Sequence, residues 1–165
     1  MKFNKLLYVL AVLFLTIVFI WAFRAFSAKQ IDDVSPGIQC DSELLNKVDV
    51  LYVIPKFENQ SINKTWCKEI LDLNKTLAMH GVVHSYNEFA EPRSEEYVQE
   101  GREIFKDCFG FYPERFKASQ LNISNENKVI VKKTMKLDNY LNEIFHKVYH
   151  CSDTGKSSNR FIDWI

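Results

Sequence analysis

The sequence predicts an α/β protein in which short buried strands alternate with amphipathic helices, behind an apolar N-terminal segment. Residues 48–54 form an apolar run rich in β-branched side chains that ends at Pro55, as is typical of a buried parallel strand. Residues 94–108 repeat apolar side chains at helical spacing, and residues 6–23 are apolar without interruption. Alternating strands and helices indicate parallel βαβ units, which carry functional side chains at the carboxyl ends of their strands.

The N-terminal segment has the pattern of a signal anchor. Lys2 and Lys5 precede the apolar run, and Trp21 stands near its other end. At ~1.5 Å per residue the run nearly crosses a hydrocarbon core of ~30 Å, so we predict a transmembrane helix at about residues 6–26. A cleaved signal peptide is the alternative because residues 25–27 (AFS) resemble a cleavage site, although the apolar part of a signal peptide usually has about 7–15 residues.

The remaining chain is long enough for one domain with a core of its own. We therefore expect an anchor at residues 1–28 and a single domain at residues 29–165, outside the cytoplasm. Across the whole chain 21 basic residues balance 21 acidic ones. A neutral chain without a dense basic stripe gives no electrostatic reason to expect nucleic acid binding.

Glycosylation sequons and cysteines bear on the location of the domain. The four Asn-x-Ser/Thr sequons, which are consistent with an external domain, begin at Asn59, Asn63, Asn74 and Asn122. The four cysteines are Cys40, Cys67, Cys108 and Cys151. They contain no C-x2-C pair, which argues against a structural zinc ribbon. Their spacing leaves two alternatives open, disulfides or four buried free thiols.

The elements follow from hydrophobic periodicity and capping. The predicted strands are residues 48–54, 76–83, 116–121 and 147–151, and the predicted helices are residues 63–73, 94–108, 125–141 and 157–165. The helix at 94–108 has the clearest signals, because Ser94 is a suitable N-cap and Gly110 a suitable terminator.

Two polar motifs lie where strands are expected to end. Asp32 and Asp33 are adjacent carboxylates, and His80 is followed four residues later by His84. One carboxylate and two imidazoles form the ligand set of a hydrolytic metal site, and the second carboxylate is then left as a base. Gly81 stands where the zincin motif H-E-x-x-H requires Glu, so that class does not fit.

These motifs resemble those of the polysaccharide deacetylases, a carbohydrate esterase family related to nodulation chitooligosaccharide deacetylases, and in particular its short predicted-deacetylase branch. The segments that carry the resemblance occur in the family's order: residues 31–36 (IDDVSP), 50–55 (VLYVIP), 77–89 (LAMHGVVHSYNEF) and 110–118 (GFYPERFKA). The resemblance implies a distorted (β/α) barrel. Residues 29–165 are too few for all seven of the family's units, so we expect a trimmed or partly open barrel of five or six strands.

The resemblance also implies a role for each polar residue of the motifs. Asp33, His80 and His84 would hold Zn²⁺ or another divalent metal. Asp32 would be the catalytic base, and His150, at the end of the last predicted strand, would protonate the leaving amine. His146 lies where a helix gives way to that strand and is expected to be solvated.

The third family motif departs from its usual pattern in this chain. The family has an arginine and a proline before an aromatic residue, whereas residues 116–119 read FKAS. Lys117 is therefore expected to take the arginine's place in substrate binding, although an ammonium cannot form the bidentate contacts of a guanidinium. Arg115 would replace it only after a shift in register.

Two function classes follow. The first is a metal-dependent hydrolase, anchored in the membrane, that removes acetyl groups from amino sugars of a cell-surface or extracellular polysaccharide. The second is a catalytically degenerate protein of the same fold that acts as a membrane-anchored module for binding a glycan or a partner. The complete set of base and ligands favours the first class. The sequence leaves open the glycan, the preferred metal and whether the acyl group is linked through nitrogen or oxygen.

Overall fold

A computed structural model describes residues 2–60, 62–153 and 157–164. Its strands are β1 (Gln30–Val34), β2 (Val50–Val53), β3 (Thr76–His80), β4 (Arg115–Lys117), β5 (Lys136–Asp138) and β6 (Val148–His150). Its α-helices are α1 (Lys2–Phe26), α2 (Ser42–Lys47), α3 (Lys64–Asp72), α4 (Glu95–Phe109), α5 (Asn125–Lys132), α6 (Tyr140–Phe145) and α7 (Ser157–Trp164). The sequon at Asn59 includes Ser61, and the predicted last helix includes Ile165; both Ser61 and Ile165 lie outside the described residues.

The strands form one parallel sheet in the order β5-β4-β3-β2-β1-β6. Within the described residues β5 and β6 are its two edges, so the sheet is a half-barrel. This confirms the predicted partly open barrel. All four residues of β2 are buried, as expected for a central parallel strand that is covered on both faces.

The helix predicted at residues 94–108 is confirmed as α4, and its ends have the expected caps. The Ser94 hydroxyl accepts a hydrogen bond from the Tyr97 amide, which satisfies one of the free donors of the first turn. Gly110 ends the helix in the left-handed region, at φ 83°. The inner face of α4 buries Val98, Phe105 and other apolar side chains against the sheet.

The region predicted as one helix at residues 125–141 is divided, and that prediction is wrong. Helix α5 ends at Lys132, the chain then forms β5 beside β4, and Asn139 caps the short helix α6. The division adds β5 to the sheet, and β5 pairs with the edge of β4 that would otherwise be open. The strand predicted at residues 116–121 is also shorter, because β4 ends at Lys117 and a 3-10 turn follows.

Helix α1 is the one described helix that is long and apolar enough to cross a membrane, judged by length and composition. The candidate span is Lys5–Phe26, with a mean hydropathy of 2.8, and none of its residues is fully buried. Its last turns contact α6. Arg24 Nη1 donates to the carbonyls of Glu143 and Ile144 at 2.9 and 3.0 Å, and the Phe23 ring lies edge-on to Phe145.

The cysteines form two disulfides, Cys40–Cys151 and Cys67–Cys108. This decides between the two alternatives that the sequence leaves open. The first disulfide ties the segment after β1 to the residue that follows β6, and the second joins α3 to α4.

Candidate metal centre and catalytic cavity

The carboxyl ends of β1, β3, β4 and β6 surround a cavity of about 350 Å³. Functional side chains converge there because parallel strands end at the same edge of a sheet. The cavity is lined by Asp32, Asp33, His80, His84, Lys117, Ala118, Gln120, Leu121, Glu143 and His150. All six residues predicted to form the site are among them.

Both adjacent carboxylates at the end of β1 reach this cavity. In a regular strand, Asp32 and Asp33 would point to opposite faces of the sheet. Here Asp33 adopts φ 65°, and the pairing of β1 with β2 shifts register between Ile31 and Val34. The irregularity ends the alternation, so both buried carboxylates face the same space.

Asp33, His80 and His84 form a cluster with the dimensions of a metal site. Asp33 Oδ1 lies 3.4 Å from His80 Nε2 and 3.0 Å from His84 Nε2, and the three ligand atoms all lie within 4.8 Å of one another. Ligands at about 2.0–2.2 Å from a tetrahedral zinc are separated by roughly 3.4 Å, so the donor set fits such an ion.

A hydrogen bond orients His80 for this role. Its Nδ1 lies 3.1 Å from the backbone carbonyl of Lys117, on the neighbouring strand β4. A carbonyl can only accept, so Nδ1 carries a proton, and in the neutral ring Nε2 is then left as the atom that can bind a metal. The same arrangement of ligand and backbone acceptor fixes many metal-binding histidines.

Glu88 holds the loop that carries His84. Its buried carboxylate accepts hydrogen bonds from the backbone amides of Val82, Val83 and His84, at 2.9 to 3.0 Å. The hydroxyls of Tyr97 and Ser119 also donate to it. This set of donors stabilises a loop in which His84 itself has a positive φ of 60°.

Gly81 makes room for that carboxylate. A Cβ at this position would lie 2.4 Å from Glu88 Oε2 and 2.7 Å from Ser119 Oγ, and the backbone has φ +61°. A side chain would therefore be excluded both by space and by backbone conformation. The glycine that rules out the zincin motif is thus the residue that lets Glu88 organise the loop.

Electrostatics favour a charged carboxylate beside proton-binding imidazoles. Burial raises the pKa of Asp33, but hydrogen bonds from His150, His80 and His84 outweigh it and hold the pKa far below its usual range. Burial lowers the pKa of His84, but its contact with Asp33 prevails and the pKa is raised. The hydrogen bond to Asp33 likewise raises the pKa of His150. Without a metal, the charge of Asp33 is therefore stabilised by hydrogen bonds from the neighbouring imidazoles.

Lys117 contacts the predicted base, Asp32. Its side chain is 0% exposed, and Nζ lies 2.9 and 3.1 Å from the two Asp32 oxygens and 2.9 Å from Glu143 Oε1. Burial lowers the pKa of Lys117, but the two carboxylates outweigh it and the pKa is raised. The ammonium also lies 4.1 Å from the centre of the Tyr52 ring. Its contacts are thus made within the protein, whereas we predict from the sequence that it binds substrate.

Arg115 does not take that position. Its guanidinium donates to Asp138 and to the Tyr52 hydroxyl, both at 2.9 Å. The register of β4 therefore places Lys117, and not Arg115, next to Asp32. Arg115 is therefore not shifted into the position of Lys117.

The two late histidines differ in position. His150 ends β6, opposite Asp32 in the pairing with β1, and its Nδ1 lies 3.6 Å from Asp33 Oδ2. Its side chain is 41% exposed, so it stands at the mouth of the cavity. His146 lies outside the cavity, and its Nδ1 contacts the carbonyl of Ala28 at 3.0 Å.

Comparison with known proteins identifies the architecture. No protein-family model matches the sequence, and no curated protein matches it either. Among solved structures, the wild-type BA3943 protein of Bacillus anthracis, a CE4 family pseudoenzyme, superposes with a TM-score of 0.57 at 10% identity. The chain has a CE4-type fold. The match covers 82% of this chain and 58% of that protein.

A mutant of BA3943 superposes with a TM-score of 0.49 at 12% identity, over 67% of this chain and 42% of the other. The chain thus spans about half the length of the structures it matches. CE4 proteins are the polysaccharide deacetylases, so the resemblance seen in the sequence motifs is confirmed at the level of the fold.

Three contacts in this CE4-type cavity escape sequence reasoning. Glu88 and Glu143 bind the His84 loop and Lys117, and the Ser152 hydroxyl donates to Asp33 Oδ2 at 2.6 Å. The position of Glu88 in the sequence gives a hint of its role, because it is an acidic residue shortly after two histidines and a glycine. Ser152 and Glu143 had none, because each meets its partner across the sheet from a distant part of the chain.

Proposed function

We propose that the protein is a metal-dependent hydrolase that removes acetyl groups from amino sugars of a cell-surface or extracellular polysaccharide. One observation carries the proposal. The ligand atoms of Asp33, His80 and His84 lie within 4.8 Å of one another, while Asp32 beside them contacts Lys117 and is not part of this cluster. This division of two carboxylates into ligand and base is what hydrolysis of an amide requires.

The charges of the cavity suit a divalent cation. Asp32, Asp33 and Glu143 bring three carboxylates, whereas Lys117 supplies one ammonium. With neutral histidines the cavity keeps an excess of negative charge, and buried charge of this kind calls for a counter-ion. Zn²⁺ or a similar ion, held by Asp33, His80 and His84, would polarise the acyl carbonyl and acidify a water molecule.

The remaining side chains divide the proton transfers. Asp32 accepts a proton from the attacking water, and Lys117 fixes the orientation of its carboxylate. His150 stands at the mouth of the cavity, and its hydrogen bond to Asp33 raises its pKa, which suits it to donate a proton to the leaving amine.

An anchored domain outside the cytoplasm is supported by two features. Disulfides form and persist in oxidising compartments, and both pairs of cysteines are bonded. Helix α1 keeps contacts with α6 through Arg24 and Ser27, which a cleaved signal peptide would lose. We therefore assign residues 1–28 to an anchor and residues 29–165 to the hydrolase domain.

The competing function is a binding module that lacks catalysis. It is favoured by Lys117, which stands where the family motif has arginine, and by the description of the structurally similar BA3943 as a pseudoenzyme. Such a module would keep the fold and the metal and would bind a glycan or a partner at the same cavity.

Two substitutions in the full-length protein test the hydrolase. Asp32→Asn keeps the shape of the side chain but cannot accept a proton, so release of acetate from an N-acetylated oligosaccharide should fall by ~10²–10⁴-fold while zinc content is kept. His80→Ala should lose the zinc itself. Asp72→Asn, on the exposed face of α3, and His146→Ala, outside the cavity, serve as matched controls. Wild-type protein that binds zinc yet releases no acetate would establish the binding module instead.

A further inference from the structure

A second concavity lies between the last turns of α1 and helix α6. Its volume is about 650 Å³. We call it the anchor groove, and it is lined by Ile17, Ile20, Trp21, Arg24, Leu121, Tyr140, Glu143 and Ile144. Apart from Arg24 and Glu143, these side chains are aliphatic or aromatic, so the groove offers an apolar surface to a ligand.

The anchor groove adjoins the catalytic cavity. Leu121 and Glu143 line both spaces. Leu121 lies in the 3-10 turn directly after β4, with φ 56°, and Glu143 contacts Lys117 from α6. A molecule that extends past these two side chains would touch the anchor at one end and the site of Asp32 at the other.

The groove is bordered by exposed apolar side chains on both α1 and α6. Ile17 on α1 is 65% exposed, and Tyr140 and Leu141 on α6 are 69% and 59% exposed. Apolar side chains of the domain thus continue the apolar surface of the spanning helix. Such continuity suits contact with lipid, whereas it would be unfavourable in water.

Arg24 adds a polar group to this apolar groove. Its Nη1 is used by the carbonyls of Glu143 and Ile144, but its buried Nε–H has no hydrogen-bond partner among the described residues. A buried donor without a partner is costly, and an oxygen of a lipid head group would satisfy it after a small movement of the side chain.

We propose that the substrate is membrane-borne: an amphiphile whose apolar chain lies in the anchor groove and whose acylated amino-sugar head enters the catalytic cavity. The inference rests on the proposed hydrolase and names the class of molecule it acts on. It also explains why the wall between groove and cavity is built from α6, the element that contacts both the anchor and Lys117.

Photolabelling tests the groove without requiring turnover. The full-length Asp32→Asn protein in phosphatidylcholine nanodiscs is irradiated with octadecyl N-acetylglucosaminide that carries a diazirine on its chain, and labelled peptides are mapped by mass spectrometry. We expect label on residues 17–24 and 140–144, displaced by excess unmodified glycolipid and not by added phosphatidylcholine.

A pair of variants localises the effect. Ile17→Trp places an indole in the groove, and it should reduce this labelling by about tenfold or more because less room is left for the apolar chain of the glycolipid. Leu15→Trp adds the same bulk to an exposed position of α1 that does not line the groove, and it should leave labelling unchanged.

The outcomes separate this inference from the proposed function. Label spread evenly around α1, or displaced equally by phosphatidylcholine, would overturn the groove. If wild-type protein still releases acetate from a soluble N-acetylated oligosaccharide, the hydrolase then stands alone. Specific label together with no acetate from either compound would show a lipid-binding groove and refute a substrate. Faster hydrolysis of the glycolipid than of the soluble compound, lost in Ile17→Trp, supports both.

Discussion

The catalytic cavity is bounded on one side by the loop after β3 and on the other by α6. The loop side is held by buried hydrogen bonds, since one carboxylate, Glu88, binds three consecutive amides and two hydroxyls. The α6 side is a short, partly exposed helix that reaches the site through one ion pair, between Glu143 and Lys117. At the cavity, the loop side is thus held by five hydrogen bonds to one buried carboxylate, whereas the α6 side contacts Lys117 through a single side chain.

The largest effect is expected at Lys117, which lies between the two sides. Lys117→Met keeps the length of the side chain but leaves the carboxylates of Asp32 and Glu143 without their cation. Breaking a buried pair in this way costs about 3–5 kcal/mol. Chemical denaturation of the metal-free protein measures it. Lys132→Met, on a helix away from the cavity, is the control, and equal stability of the two variants would contradict the role of the buried ammonium.

The next effect is expected on the loop side. Glu88→Gln presents an amide to several backbone N–H groups, so donors are left unpaired and we expect a loss of about 2–4 kcal/mol. Zinc affinity should fall as well, because His84 is carried by this loop. Calorimetry and zinc titration measure the two quantities. Glu91→Gln, exposed a few residues later, should change neither, and full zinc affinity in Glu88→Gln would show that the loop needs no such support.

A smaller effect on stability is expected on the α6 side. The Glu143 side chain is 23% exposed, so Glu143→Gln should cost only about 1 kcal/mol or less. It should leave zinc binding intact and lower kcat, because Lys117 would no longer be held between two carboxylates. If Glu143→Gln instead destabilises the protein as strongly as Glu88→Gln, the loop side is not held more strongly at the cavity than the α6 side.

The smallest effect is the pH dependence of the metal-free protein. The raised pKa values of His84 and His150 stabilise the fold below about 6.5, and this contribution is lost as pH rises through the raised values. The depressed pKa of Asp33 stabilises the fold above about pH 3.8, and this contribution is lost only as pH falls below that value, so it is constant between pH 6 and 9. Between pH 6 and 9, Tm should therefore fall by a few degrees without metal.

Zinc should reverse this trend, since it binds neutral imidazoles and displaces protons. The gain in Tm on adding zinc should grow from pH 6 to 9, and chelation should abolish it. A zinc-induced gain that is the same at every pH would mean that His84 is not a ligand.

Sequence reasoning located the loop side better than the α6 side. The positions of His80 and Asp33 follow from the rule that parallel strands end at one edge, which needs only local patterns. The direction of the Asp33 side chain does not follow from local patterns, because regular alternation would turn it away from Asp32. Its positive φ accompanies an irregularity in the pairing of β1 with β2, which local sequence does not reveal. The contact of Glu143 with Lys117 cannot be predicted from a single helix at residues 125–141, since such a helix leaves no room for β5 or for the start of α6.

The pairing of β6 with β1 has a consequence for how the protein is made. These strands come from opposite ends of the domain, and β1 follows directly after the apolar helix α1. During synthesis β1 therefore emerges before β6, and one of its edges stays unpaired until residues 148–150 follow. The sheet is completed, and Cys40 can meet Cys151, only when β6 and the residue after it have been made. A stop codon shortly before β6 would leave a domain with an open strand edge and without His150, a species prone to aggregation.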